Sequence, residues 1–178
     1  MGRITGMCFV SLRGTEVLLA MSACSGIYRV LIICPDVDSD NLLRQRSGNN
    51  RTTGWTEGSI AEAKLTTWDG DLVGLTACAS ALDESAPIRL FYASNSTAVE
   101  EYLWRAEEDE WVWQQTWEGY SGAAGVGCFG GTGAYRYLGL VNSENNLEIW
   151  YQASEDVGTN WQKGKQQHIR TNHAKHPN

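Results

Sequence analysis

The sequence predicts an all-β protein built from β-propeller blades, each a sheet of four antiparallel strands. Short apolar runs alternate with polar turns along the chain, as in proteins made of many short strands. Laid under one another, the runs form three units, and each unit reads as a small apolar strand, an Arg-bearing strand, a third strand and a tryptophan strand. Four strands in roughly 45 to 50 residues is the size of one blade. We therefore predict one partial propeller domain over 1–164, with blades at about 15–58, 71–119 and 123–164.

The first unit contains four predicted strands, at 17–21, 28–33, 41–44 and 55–58. A longer connector at 59–70 leads to the second unit, and a helical turn is expected within it at 60–65. A closed β-sandwich is the alternative architecture, since alternating strands and turns would look similar there. The spacing of charged and aromatic residues in the later units favours blades.

The second and third units repeat this order of strands. The predicted strands are 72–78, 88–92, 99–104 and 111–113 in the second unit, and 125–129, 135–140, 147–151 and 161–164 in the third. Turn-forming residues join the second strand of each unit to its third, at 36–40, 95–97 and 142–146. We expect the polar, basic segment 165–178 to be a disordered tail.

An arginine, a glutamate and aromatic residues recur with the same spacing in the second and third units. In both, the arginine precedes the glutamate by twelve positions, and an aromatic residue follows three positions after the glutamate. A cation, a carboxylate and aromatics at fixed intervals suggest a small binding site repeated by the structure. The candidate ligand-binding residues are Arg89, Glu101, Trp104, Trp111 and Trp113 in the second unit, and Arg136, Glu148, Tyr151 and Trp161 in the third.

Composition excludes several classes of partner and of chemistry. The net charge of −7 argues against nucleic acid and against an anionic membrane surface, because both are bound through a basic face. No apolar stretch approaches the length of a membrane span, so we predict no membrane insertion. The three histidines lie in the tail, which excludes Ser-His and Cys-His catalysis by the folded body. We predict no catalytic residues, metal or cofactor.

The five cysteines are widely spaced, mostly within apolar runs, and no C-x-x-C pair occurs. A zinc or redox site therefore has no support. The odd count and the lack of a signal-peptide pattern favour reduced, buried thiols. We expect a cytoplasmic protein, or one released without a classical signal peptide.

With these positions in hand, the chain resembles the fungal fucose-specific lectins of the Aleuria aurantia type over about residues 17–164. The resemblance is carried by Ala61-Glu62-Ala63-Lys64-Leu65, Ile88-Arg89-Leu90-Phe91-Tyr92, Glu101-Tyr102-Leu103-Trp104, Tyr135-Arg136-Tyr137 and Glu148-Ile149-Trp150-Tyr151. It implies a six-bladed propeller, of which this chain has three blades, that binds L-fucose between neighbouring blades. It also implies that arginine and glutamate hydrogen-bond the sugar while aromatics flank its ring.

This resemblance predicts a multivalent, non-enzymatic lectin for fucosylated glycans. Two copies of the chain could close a six-bladed ring as a homodimer. The first unit departs from the pattern, because Asn41, or Leu43 after a longer turn, stands where an acid is expected after Arg29. We expect that site to be dead or altered. A degenerate or truncated propeller serving protein interaction is the alternative function, and a glycoside hydrolase ranks lower, because only one acid per site belongs to the motif.

Overall fold

The structure is a computed structural model. It describes residues 11–12, 18–24, 27–36, 41–49, 56–68, 72–79, 87–105, 107–122, 126–129, 135–153 and 158–164. The predicted tail at 165–178 lies outside the described residues. Among the described residues, no helix is both long enough and apolar enough to cross a membrane.

Three antiparallel sheets of four strands form the fold, each with its strands in chain order. Sheet 1 consists of β2 (Leu18–Cys24), β3 (Ile27–Asp36), β4 (Leu42–Asn49) and β5 (Thr56–Glu57). Sheet 2 consists of β7 (Leu75–Ala79), β8 (Ile88–Asn95), β9 (Ala98–Arg105) and β10 (Glu110–Glu118). Sheet 3 consists of β11 (Gly127–Phe129), β12 (Tyr135–Val141), β13 (Leu147–Ala153) and β14 (Gln162–Lys163). The prediction of an all-β chain made of propeller blades is confirmed.

Three short elements complete the described structure, namely two paired strands and a 3-10 helix. The first, β1 (Ser11–Leu12), pairs antiparallel with β6 (Leu72–Val73), in a small sheet separate from the blades. A 3-10 helix at Ser59–Ala61 lies in the predicted connector and contacts both β4 and β10. The helical turn expected at 60–65 is therefore shorter than predicted and begins one residue earlier.

The first strand of each sheet lies innermost in the fold. Strand β7 of sheet 2 contacts both β2 of sheet 1 and β11 of sheet 3. These inner strands carry small residues such as Thr76 and Ala77, which are fully buried. The sheets thus stand side by side with their inner strands adjacent, as the blades of a propeller do.

Sheet 2 is buried on both of its faces, because a hydrophobic cluster covers each one. The cluster shared with sheet 1 contains Leu43, Ile60, Leu65, Leu75, Leu90, Trp104 and Trp111. The cluster shared with sheet 3 contains Phe91, Val99, Trp117, Tyr120, Leu138 and Leu140. Each fully buried large apolar side chain contributes about 1.5–3 kcal/mol to stability. This two-sided burial explains why β8 is a nearly continuous apolar run instead of an alternating one.

Sheet 3 is buried on one face only. Its residues alternate between buried and exposed along β12, and the buried Leu138 and Leu140 pack towards sheet 2. The opposite side, which we call the outer face of sheet 3, carries side chains that are 43% to 59% exposed, namely Phe129, Tyr135, Tyr137, Leu147 and Ile149. An exposed apolar face of this kind marks an interaction surface in soluble proteins.

A disulfide joins Cys78 on β7 to Cys128 on β11, with their Cα atoms 5.7 Å apart. The prediction of reduced thiols is therefore wrong for this pair. The two residues are 50 positions apart in the sequence, and only the packing of neighbouring inner strands brings them together. No local spacing such as C-x-x-C could have indicated the bond.

Candidate functional site

Arg89 and Glu101 form a buried ion pair on the face of sheet 2 that meets sheet 3. Arg89 lies opposite Leu103 in the pairing of β8 with β9, and Glu101 lies two positions before Leu103 on β9. Residues two apart on a strand share a face, so both charged groups point to the same side. Arg89 Nη1 donates to Glu101 Oε1, and both side chains are fully buried. Each ion offsets the burial cost of the other, so the pair behaves as a unit.

The Glu101 carboxylate accepts four hydrogen bonds. At Oε1 it accepts from Arg89 and from Trp161 Nε1, the latter at 3.1 Å. At Oε2 it accepts from Gln115 Nε2 at 2.7 Å and from Trp117 Nε1 at 3.1 Å. An ionised carboxylate offers about four acceptor positions, so these donors fill them all. A ligand hydroxyl that donates to Glu101 must displace one of them.

Sheet 3 completes the site through the segment that leads into β14. Arg89 Nη2 donates to the backbone carbonyl oxygen of Gly158 at 2.7 Å. The same oxygen accepts from Gln152 Nε2 at 2.7 Å, which ties the segment to β13. The Arg89 guanidinium also lies 5.7 Å from the centroid of the Trp161 ring, within the range of a cation–π contact. The site therefore exists only where the two sheets meet.

An aromatic wall extends from this site towards solvent. Trp117 makes edge-to-face contacts with Trp161, at 5.9 Å between ring centroids, and with Trp150, at 5.0 Å. Phe91 contacts Trp161 in the same manner at 5.8 Å. Each such pair contributes about 0.5–1.5 kcal/mol beyond its buried area. Trp150 and Trp161 are partly exposed, so a ligand could reach the wall from outside.

A β-bulge in β10 decides which tryptophans reach the site. The pairing of β10 with β9 shifts between Trp113 and Gln115, so that the intervening Gln114 breaks the alternation of faces. Beyond the bulge, Gln115 and Trp117 face sheet 3 and bond Glu101. Before it, Trp111 and Trp113 face the other way. Sequence reasoning missed both Gln115 and Trp117, because the predicted strand ended at Trp113 and alternation takes no account of the bulge.

The predicted residues Trp104, Trp111 and Trp113 therefore lie away from the Arg89–Glu101 pair. Trp104 is three positions from Glu101, and an odd separation on a strand places two side chains on opposite faces. It packs in the cluster shared with sheet 1, and its Nε1 donates to Asp109 Oδ1 at 3.2 Å. Trp113 is 54% exposed, and its Nε1 donates to Glu100 Oε2 at 2.9 Å.

In the third unit, Arg136 and Glu148 do not form a second site of the same kind. Arg136 lies opposite Gln152, and Glu148 lies four positions from Gln152 along β13. That separation is about 13 Å at roughly 3.3 Å per residue. The offset in sheet 2 is two positions, because the register of β8 with β9 shifts by one residue between Ala93 and Asn95 and the turn at 96–97 is centred closer to its arginine than the turn at 142–146 is. Equal spacing in sequence thus gives different geometry.

Both third-unit charges point into the junction between sheets 2 and 3. Arg136 shares the face of Leu138 and Leu140, which pack against sheet 2, and its Nη2 donates to the Ala153 carbonyl oxygen at 3.2 Å. The predicted residue Tyr151 lies on the outer face of sheet 3, where its hydroxyl donates to Gln162 Oε1 at 2.8 Å. Of the third-unit residues predicted to bind a ligand, Trp161 is the one seen bonded to Glu101.

Glu148 belongs to a separate polar cluster at the edge of the same junction. It pairs with Lys163, whose Nζ lies 2.7 Å from Oε2, and it accepts from the Tyr120 hydroxyl at 2.7 Å and from Asn142 Nδ2 at 2.9 Å. Burial raises the pKa of the Glu148 carboxyl, but these hydrogen bonds outweigh burial, and the pKa falls below its ordinary value. Burial and the bond to Glu148 raise the pKa of Tyr120 to about 12.

The junction between sheets 1 and 2 repeats one feature of the site with a neutral residue. Trp111 Nε1 donates to Gln45 Oε1 at 2.8 Å, as Trp161 Nε1 donates to Glu101. Gln45 lies opposite Ile33 in the pairing of β3 with β4, as Glu101 lies opposite Phe91. Sequence spacing placed Asn41 or Leu43, and not Gln45, at the position that corresponds to Glu101. Asn41 precedes β4 with a φ of 60°, and Leu43 is buried in the core.

Three blades with an arginine, a glutamate and a tryptophan gathered between two of them define a partial β-propeller with a buried polar site. Several solved structures that superpose on this fold are lectins, and they support the predicted resemblance at the level of the fold. The six-bladed Aleuria aurantia lectin superposes with a TM-score of 0.63 at 16% identity, over 86% of this chain and 47% of that one. A mutant of that lectin bound to α-methyl-L-fucoside gives a TM-score of 0.62 at 16% identity, over 84% and 44%.

A fucose lectin from Kordia zhangzhouensis, bound to methyl-fucoside, superposes with a TM-score of 0.56 at 16% identity. Here the match covers 84% of this chain and 95% of the other. The chain thus spans less than half the length of the Aleuria lectin but nearly the whole of the Kordia lectin. No protein-family model and no curated protein sequence matches it.

Proposed function

We propose that the protein is a non-catalytic lectin that binds L-fucose or fucosylated glycans at the junction between sheets 2 and 3. The observation that carries the proposal is the buried Arg89–Glu101 pair bonded by Trp161 of the next sheet. Lectins with this fold have been solved with α-methyl-L-fucoside and with methyl-fucoside. Arg89 and Glu101 bind the sugar hydroxyls, and Trp117 and Trp161 supply apolar surface for its C–H groups.

The residue types suit a neutral monosaccharide. A guanidinium is a rigid fork of donors for adjacent hydroxyl oxygens, and a carboxylate accepts from hydroxyls that point towards it. Hydrogen bonds to charged groups contribute about 1.5–3 kcal/mol each when well aligned. Because the sugar replaces donors already present on Glu101, the net gain per bond is smaller. We therefore expect a modest affinity for a single sugar.

Fucose differs from galactose in part through its methyl group, which needs an apolar contact. The partly exposed Trp161, which bonds Glu101, and the partly exposed Trp150, which packs against Trp117, supply such a surface. A methyl contact is worth about 1–3 kcal/mol, so the preference for fucose over galactose is finite.

Each chain has one sugar-binding site in this proposal. Among the side chains that the structure describes, Arg89 and Glu101 are the motif pair that meets, and the third-unit motif lies in the same junction. Multivalency then comes from assembly. Two copies on one rigid body would bind surface glycans with greater avidity than either site alone.

A second copy of the chain is the proposed partner for the outer face of sheet 3. At both other junctions, a sheet packs face to face on its neighbour and buries aromatic and aliphatic side chains. The outer face carries Phe129, Tyr137 and Ile149, residues of the same apolar kind. Two sets of three sheets give the six blades of the Aleuria lectin fold. A homodimer that closes the ring follows from this match.

Thermal unfolding in the presence of sugar tests the proposed function. At a concentration tenfold above Kd, L-fucose should stabilise the protein by about 1.4 kcal/mol and raise Tm by about 4 °C. D-galactose should do less. Arg89→Ala should abolish the shift, and Trp113→Phe, which alters a side chain on the opposite face, should retain it. No effect of millimolar fucose on the wild-type protein would refute the proposal.

A further inference from the structure

The Cys78–Cys128 disulfide lies directly beside the candidate binding site. Cys78 on β7 is the cross-strand partner of Arg89 on β8, so the two side chains share the face that meets sheet 3. Cys78 and Cys128 are buried in the cluster that contains Phe91 and Trp117. The sheet 2 end of the disulfide is therefore the immediate cross-strand neighbour of the guanidinium proposed to bind the sugar.

The disulfide links two strands that belong to different sheets. Strands β7 and β11 lie side by side, but each is hydrogen-bonded within its own sheet. A hydrogen bond from the Cys128 backbone N–H to Thr76 Oγ1, at 3.3 Å, also joins them. That bond is long for its type, whereas the disulfide fixes the Cα atoms of the two cysteines 5.7 Å apart. The disulfide is thus the strongest connection between these inner strands.

The site depends on how sheet 3 is placed against sheet 2. Two of its hydrogen bonds cross the junction, from Trp161 Nε1 to Glu101 Oε1 at 3.1 Å and from Arg89 Nη2 to the Gly158 oxygen at 2.7 Å. Such bonds weaken steeply outside about 2.7–3.2 Å, so a shift of about 1 Å between the sheets would break them. Holding the inner strands together preserves this geometry.

We infer that the Cys78–Cys128 disulfide is a positioning cross-link that makes sugar affinity at this junction depend on the oxidation state of the two cysteines. The inference rests on the proposed function. Reduction by a dithiol breaks the sulfur–sulfur bond, and each cysteine sulfur gains one electron and one proton. The dithiol gives up the two electrons and two protons and closes to its own cyclic disulfide. The two thiols then need van der Waals separation, and the sheets move apart.

The test measures Kd for methyl α-L-fucoside by titration calorimetry, well below the melting temperature. Oxidised wild-type protein is compared with protein reduced by dithiothreitol and with the Cys78→Ser/Cys128→Ser variant. Thiol labelling of the reduced protein should detect two more thiols than in the oxidised protein. Reduction should weaken binding about tenfold, because the Trp161 ring and the Gly158 oxygen that orients Arg89 move away from the sugar, and reoxidation should restore it. Thr76→Val, which removes only the weaker link between the strands, serves as the control and should change Kd less than twofold.

A second measurement separates this inference from the proposed function. Amide hydrogen exchange of the 158–164 segment should accelerate on reduction, whether or not sugar is present, and that of β9 should change little. Binding of equal affinity in both states, with only Tm lowered, overturns the inference and leaves the lectin function standing. If the oxidised protein binds no sugar, the proposed lectin function is refuted. If hydrogen exchange at 158–164 is unchanged on reduction, the positioning role of the disulfide is refuted as well. The reduced wild-type protein supplies the comparison if the serine variant does not fold.

Discussion

The indole N–H of Trp161 donates to Glu101 at 3.1 Å, and this single bond joins the third strand of one blade to the segment that enters the last strand of the next. Trp111 and Gln45 form the corresponding bond at 2.8 Å between the first two sheets. A tryptophan N–H therefore donates a hydrogen bond to a side-chain oxygen at both junctions. The acceptor is charged and paired with an arginine at one junction and is a neutral amide at the other.

Trp161→Phe should strengthen fucose binding. Phenylalanine keeps an aromatic ring against Phe91 and Trp117 but lacks the N–H, so Glu101 retains one free acceptor for a sugar hydroxyl. We expect Kd to fall about tenfold, since the sugar no longer displaces a hydrogen bond to a charged group. Titration calorimetry measures this. Trp161→Ala is the comparison and should bind more weakly than the wild type because it also removes the ring. Weaker binding by Trp161→Phe would mean that the N–H contacts the sugar.

Gln45→Glu should destabilise the protein without creating a fucose site. The change puts a charge into a site that is 4% exposed, and Arg29, the arginine of the first unit, lies four positions away in the register of β3 with β4. An incompletely compensated buried carboxylate costs about 3 kcal/mol. Urea unfolding at pH 7 should show this loss, and the loss should shrink near pH 4, where the carboxyl is protonated. Trp111→Phe, which removes the hydrogen bond to Gln45 without adding a charge, is the matched control. A stable variant with a second fucose site would contradict this prediction.

Acid should weaken the protein partly through Glu148. Its folded-state pKa lies below the ordinary value, so it contributes stability above its unfolded-state pKa and loses that contribution as the pH falls through the folded-state pKa. In urea unfolding between pH 7 and pH 3, Glu148→Gln should be less stable than the wild type at pH 7. The two curves should converge below about pH 4, the usual range of a glutamate pKa. Parallel curves over the whole range would show that Glu148 does not contribute.

Tyr137→Asp should convert the proposed dimer to a monomer. Tyr137 is 43% exposed on the outer face of sheet 3, so the change should cost the isolated chain little and should bury a charge in the dimer. Native mass spectrometry should find twice the chain mass of 19.7 kDa for the wild type and the single mass for the variant. Trp113→Gln, which replaces another exposed aromatic residue, on sheet 2, should remain dimeric. A monomeric wild type would contradict the dimer.

The sequence indicated the blades well because strand periodicity and turn residues act locally. Each predicted strand corresponds to an observed one, apart from 72–78, which divides into β6 and β7 at Gly74. The Arg89–Glu101 pair was also accessible to sequence reasoning. A register offset of two positions on neighbouring strands brings these residues together.

The rest of the site depends on features that spacing does not encode. The bulge at Gln114 places Trp117 beside Glu101 and turns Trp113 away. The pairing of β12 with β13 lacks the register shift found between Ala93 and Asn95, so Arg136 is separated from Glu148 although their spacing equals that of Arg89 and Glu101. Bulges and turn lengths are set by backbone geometry, and a shift of one position moves a side chain to the other face. Contacts between sheets, such as the Cys78–Cys128 bond, require the tertiary fold.

The full set of donors on Glu101 has a kinetic consequence. Every acceptor position of Glu101 is occupied in the ligand-free protein. One of the four donors must therefore leave before a sugar hydroxyl can bond to Glu101. If Trp161 is the donor that leaves, the observed association rate should level off at high sugar concentration, at the frequency with which the indole swings out. Stopped-flow tryptophan fluorescence would then report a plateau instead of a linear rise, and the resting protein would spend most of its time unable to capture ligand.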